Sequence, residues 1–132
     1  MMQILQPPGW ARPRGYSNGI ATKGGKTVYI AGQVGWSGEG TFAEKTFGGQ
    51  FRQALANILA VLAEAGGRPE HLVRMMWFVL DRNEYLASLR EVGAAYRELI
   101  GKHYPAMTVV EVSGLVESGA RLEIEATAVV PD

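Results

Sequence analysis

The chain has 132 residues, with 13 lysines and arginines against 13 aspartates and glutamates, two histidines and no cysteine. A chain of this length buries about two-thirds of its surface in one core, and 47% hydrophobic against 20% charged residues describes a folded domain. The even charge balance excludes a basic nucleic-acid surface, and the absence of cysteine excludes disulfides, thiol nucleophiles and thiolate metal sites.

In chain order, residues 1–15 carry Pro7, Pro8 and Pro13 beside Trp10, Arg12 and Arg14, which predicts an extended arm or loop leading into the first sheet strand. The opening MMQILQPPGW lacks the regions of a signal peptide, and no run reaches the length of a membrane span. The expectation is one cytoplasmic domain over residues 1–132, with no membrane partner. Strands are expected at Asn18–Thr22 and Thr27–Gln33, with Gly24-Gly25 as the turn of a hairpin. A glycine-rich loop over residues 35–40 follows.

From Thr46, the residues Phe47, Phe51, Ala54, Ile58, Val61, Leu62 and Ala65 recur at helical spacing, and Gly66-Gly67 ends the helix. Residues 71–81 form an apolar run of strand length. Its two alternating sets, Val73, Met75, Trp77, Val79 and Leu72, Met76, Phe78, Leu80, predict a strand covered on both faces. Asn83 is the expected N-cap of a second helix with a stripe of Tyr85, Leu89, Val92, Tyr96 and Leu99. Strands are expected at Met107–Leu115 and Arg121–Val130, joined by a turn at Glu117-Ser118-Gly119.

The fold class is α+β, with two helices on one face of a mixed or antiparallel sheet of five or six strands. In the last strand Leu122, Ile124, Ala126, Ala128 and Val130 form the helix-covered face. The other face is half apolar, so a closed homo-oligomer is expected to cover it.

No glycine stretch spells a phosphate loop or dinucleotide fingerprint, and no triad signature surrounds the histidines. His71 and His103 match no metal spacing. Glu123 and Glu125 share a strand face, about 7 Å apart along the backbone. Alternating glutamates mark a solvated face on an ordinary strand; drawn into an interface cleft, such a carboxylate acts on bound water. Tyr16, flanked by Gly15, packs over a sheet edge or presents its hydroxyl to a pocket. Arg12 and Arg14 are solvated arm charges or grip an anionic ligand. Trp36 lines a pocket or lids the first helix.

Gly15-Tyr16-Ser17-Asn18-Gly19, Val28-Tyr29-Ile30-Ala31-Gly32-Gln33, the run from Gln50 to Gly67, Phe78-Val79-Leu80-Asp81, Tyr104-Pro105-Ala106, Val110-Glu111-Val112 and Leu122-Glu123-Ile124-Glu125-Ala126 resemble, in this order over residues 14–130, the RidA (YjgF) family. The resemblance implies a chorismate-mutase-like fold and a homotrimer with a small-molecule ligand in each intersubunit cleft. It implies hydrolysis of reactive enamines and imines to a 2-keto acid and ammonia, without metal or cofactor. Some relatives are described instead as ribonucleases, translation inhibitors or chaperones.

By the resemblance Glu123 positions the catalytic water, Tyr16 lines the pocket, and Ala31-Gly32-Gln33 takes the place of the family's Ser-Gly-Gln stretch, so Gly32 and Gln33 contact substrate. The deaminating members carry an arginine after Pro-Ala as a carboxylate clamp, where this chain has Met107. Methionine has no donor and no charge, so the expectation is a non-standard substrate, with Arg14 or Arg12 in place of the missing clamp. The alternative is a trimeric binding or chaperone-like module without catalysis.

Overall fold

A computed structural model describes residues 2–132. Its elements are β1 (Met2–Leu5), β2 (Gly19–Thr22), β3 (Lys26–Gln33), α1 (Phe47–Glu64), β4 (Leu72–Val79), α2 (Arg82–Ala87), α3 (Leu89–Leu99), β5 (Ala106–Glu111) and β6 (Leu122–Val130). The main sheet has four strands in the order β3-β6-β4-β5, with β4 and β5 parallel and the other pairs antiparallel. The α+β class with helices on one face stands, and the sheet is smaller than expected.

The arm is the first difference. Met2–Leu5 is a strand paired antiparallel with β2, in a separate two-stranded sheet. Gly24 and Gly25 do turn the chain, at φ 74° and 79°. The strands on either side join different sheets, so the expected hairpin does not form. The second difference is β5, which stops at Glu111 and borders β4, while β6 lies between β3 and β4. The chain from β5 to β6 therefore crosses past β4 and is not a hairpin turn.

Helix α1 begins where the spacing places it. The Thr46 hydroxyl accepts from the Gly49 N–H at 3.1 Å, and Gly66 follows the last turn at φ 76°. Its buried face is Phe47, Gln50, Phe51, Ala54, Leu55, Ile58 and Leu62, whereas Val61 is exposed. This face packs on Leu122, Ile124, Ala126 and Ala128 of β6, the alternation read from the sequence. Each large side chain buried there stabilises the fold by about 1.5–3 kcal/mol.

In β4 a bulge at Val73 carries Leu72 onto the same buried face as Met75, Trp77 and Val79. Leu72 thus leaves the set in which simple alternation placed it. Asp81, not Asn83, caps the following helix, accepting from the N–H groups of Asn83 and Glu84 at 2.9 and 3.2 Å. The Ser88 hydroxyl donates to the Glu84 carbonyl at 2.8 Å where α2 gives way to α3, dividing the single helix that was expected.

The face of the sheet away from the helices is uncovered in the single chain. Tyr29 there is 80% exposed, and Met76 and Phe78 are half-buried.

Candidate functional site

An apolar concavity lies on the helix side, where α2 and α3 meet β5. It is a pocket of about 440 Å³ walled by Trp77, Tyr85, Tyr96, Tyr104, Met107 and Val109, with Arg14, Tyr16, Leu89, Gly93 and Arg97 among the residues around it. Parallel pairing sets the β4–β5 part of the wall. Met107 lies beside Met75 and Val109 beside Trp77, so both β5 side chains face the helices.

Ser17 brings the arm to this pocket. Its N–H donates to the Pro105 carbonyl at 3.0 Å and its hydroxyl to the Tyr104 carbonyl at 2.5 Å. A parallel bridge joins Ser17 to Ala106. Ser17 is buried, so the neighbouring Tyr16 and Arg14 are held against the start of β5. Tyr96 and Tyr104 stack with ring centroids 5.6 Å apart, and the Tyr96 hydroxyl donates to the His103 carbonyl at 2.5 Å. Burial, with the neighbouring Tyr104, pushes the Tyr96 pKa well above the usual tyrosine range, and burial raises that of Tyr85. Both hydroxyls stay neutral at physiological pH.

Glu123 stands elsewhere. It is opposite Phe78 on the uncovered face of the sheet, half-buried, its side chain with no hydrogen bond or ion pair among the described residues. Its carboxylate fills the space a side chain at Gly32 would need, with Cδ 2.8 Å from that Cβ position. Gly32 sits in a bulge of β3, where three steps from Ile30 to Gln33 match two steps from Ala126 to Ile124. Gln33 is in a third place, a groove against α1 with Trp36 and Asn57, its side chain turned back to the Ala31 carbonyl at 3.1 Å.

The structure therefore gathers Arg14, Tyr16 and Met107 in one pocket and Glu123 with Gly32 on the opposite face. Arg12 borders a neighbouring cleft beside the prolines of the arm. Both histidines have structural partners: His71 Nδ1 accepts from the Arg68 N–H, and His103 Nε2 donates to the Leu72 carbonyl. Among the described residues no group of three His, Asp or Glu side chains could hold a metal ion, and no helix is long and apolar enough to cross a membrane.

Sequence reasoning placed Trp77, Tyr85 and Tyr96 in the core and did not single out Arg97. One signal for Arg97 was present. Gly93 stands one turn before it inside a helix, where glycine costs about 1 kcal/mol against alanine. A Cβ at Gly93 would come within 3.2 Å of Arg97 Nη1, so the glycine lets the guanidinium fold back along the helix.

Residues 10–130 match the family model described as endoribonuclease L-PSP. A RutC family protein of Pyrococcus horikoshii is 33% identical over 130 residues, covering 97% of this chain and 98% of its own. A 2-iminobutanoate/2-iminopropanoate deaminase of Dermatophagoides farinae is 27% identical over 130 residues, covering 97% and 96%. Among solved structures, YyfB of Yersinia pestis, a protein of unknown function of the conserved Rid family, superposes with a TM-score of 0.86 at 28% identity over 98% of both chains. With the ordered motifs and the shared fold, these matches make the chain a member of the endoribonuclease L-PSP family, the RidA (YjgF) family that the sequence resembles.

Proposed function

We propose that the protein hydrolyses reactive enamines or imines as a homotrimer, in which the aromatic pocket of one copy faces Glu123 and Gly32 of the next. The observation that carries this reading is the Glu123 carboxylate, half-buried and without a partner among the described residues, lying over a glycine bulge on an uncovered sheet face. Such a group is free to hold a water molecule. Within one chain the pocket and the carboxylate lie on opposite faces, so a second copy is needed to join them. The exposed Tyr29 and half-buried Phe78 and Met76 are apolar surface for that contact. The deaminase name of one relative agrees with the chemistry.

In the reaction the water oxygen bonds to the imine carbon while Glu123 takes its proton. The nitrogen takes that proton back from Glu123, and the hydroxyl proton of the tetrahedral adduct then passes to the same nitrogen. The carbon–nitrogen bond breaks as the carbonyl forms and ammonia leaves. Tyr16 and backbone groups at Gly32 fix the ligand. Met107 gives an apolar wall where a clamp would stand, which favours a substrate other than the smallest imino acids.

Glu123→Gln tests this in an ammonia-release assay with enzymatically generated imines, beside a mass measurement of the oligomer. A loss of about 10²–10⁴ in turnover with the trimer intact is expected. Full turnover in the variant, or none in a trimeric wild type, overturns it. The aromatic lining of the pocket also favours a second reading, a trimeric binding module. Ligand affinity unchanged by Glu123→Gln, with no turnover in either protein, supports that one.

A further inference from the structure

We infer that the aromatic pocket selects an aromatic carboxylate, its ring held among Trp77, Tyr85 and Tyr104 and its carboxylate at the mouth between Arg14 and Arg97. As the specificity half of the proposed site this rests on that reading for turnover, while binding stands on the pocket alone.

Size comes first. About 440 Å³ lies within the range of about 300–1,000 Å³ usual for small-molecule sites, and a three-carbon acid would leave most of it empty. The lining comes second. Five aromatic side chains, Tyr16, Trp77, Tyr85, Tyr96 and Tyr104, line it, and their planar faces favour a planar ligand by stacked and edge contacts.

Charge comes third. No carboxylate lines the pocket, and neither Arg14 nor Arg97 has an ion-pair partner among the described residues. Two uncompensated guanidiniums beside an apolar cavity fit an anion attached to an apolar body. Arg97 lies in the last turn of α3, where the helix dipole is negative. That environment suits a single negative charge better than a phosphate dianion.

A buried donor gives independent support. Trp77 is 5% exposed, and its Nε1 is the one buried side-chain polar atom left without a partner among the described residues. A ligand oxygen or nitrogen that reached it would supply the acceptor it lacks. The hydroxyls of Tyr16, Tyr85 and Tyr104 also have no partner among the described residues and can bind polar groups of the same ligand.

Calorimetric titration of the full chain with phenylpyruvate, pyruvate and phenyl phosphate tests the assignment. Phenylpyruvate is expected to bind at least about tenfold more tightly than pyruvate, which is about 1.4 kcal/mol. Arg14→Gln and Arg97→Gln, both at exposed positions, are each expected to weaken it severalfold. The double variant should lose most of the salt dependence. Equal affinity for pyruvate, tighter binding of phenyl phosphate, or indifference to both arginine changes overturns the assignment. Imine turnover measured on the same preparation separates the two proposals. Turnover without aromatic preference sinks this one and leaves the hydrolase, whereas tight phenylpyruvate binding without turnover of any imine keeps the pocket and sinks the hydrolase.

Discussion

The carboxylate of Glu123 occupies the space a Cβ on Gly32 would claim, its Cγ 3.1 Å and its Cδ 2.8 Å from that position. The two residues come from antiparallel neighbours, β6 and β3, and the β3 bulge lies at their contact. Gly32→Ala must displace the carboxylate, and it can do so cheaply because only the flexible end of the side chain moves. Stability is expected to change by less than about 1 kcal/mol, while turnover falls by tenfold or more. Denaturant unfolding and the ammonia assay read the two effects separately. A variant with normal turnover would show that the placement of Glu123 is immaterial.

Met107 is half-buried against the core and forms part of the pocket wall. Met107→Arg adds a guanidinium on a stem of similar length. The kcat/KM for a small 2-imino acid is expected to rise at least about tenfold through charge-assisted hydrogen bonds. The apolar wall loses packing, so stability should fall by about 1–2 kcal/mol. Competition between alanine-derived and phenylalanine-derived imines is the measurement, and no shift toward the small substrate counts against Met107 as a specificity residue.

Gln50 is 1% exposed and ties three backbone segments together. Its amide donates to the Glu44 carbonyl at 3.2 Å and the Gly119 carbonyl at 3.0 Å, and its oxygen accepts from the Arg121 N–H at 2.9 Å. Gln50→Leu keeps the volume and strands those backbone groups. A loss of about 2–4 kcal/mol in chemical unfolding is expected. Gly35→Ala should also destabilise, since its Cβ would stand 2.7 Å from the Gln50 backbone. Stability unchanged in both variants would mean that this junction is dispensable.

Tyr96 and Tyr85 both titrate higher in the folded chain than in the unfolded one, through burial. The unfolded chain therefore loses these protons first, at about pH 10. Between that pH and the raised folded values the native state binds more protons, so stability falls as pH rises. The unfolding midpoint is expected to show no tyrosine-linked loss from pH 7 to 9 and a decline above about pH 10. Tyr96→Phe should flatten the decline. It also removes the bond to the His103 carbonyl, lowering stability at neutral pH by about 1 kcal/mol. An identical alkaline slope in the variant would exclude Tyr96 as its source.

Helix α1 and strand β6 were legible in the residues because their causes are local. Apolar spacing, the Thr46 cap and Gly66 act within a turn, and alternation from Leu122 to Val130 needs only the pleat of one strand. The ordered motifs likewise carried the family and the residues to examine. Asp81 was overlooked as a cap because it also reads as the end of the apolar run before it. Strand partners were not legible: β1 with β2, and β6 between β3 and β4, are choices among distant segments that no periodicity records. Those choices, with the bulges at Val73 and Gly32, set which face each side chain occupies. A bulge reverses the faces downstream of it without changing composition. The pattern of residues thus supplied the pieces, Glu123 and Gly32, Tyr16 and Met107. Tertiary pairing alone divided them between two faces of one sheet and assembled Trp77, Tyr85, Tyr96, Tyr104 and Arg97 into a pocket, because such a surface exists only once strands and helices far apart in the chain are packed together.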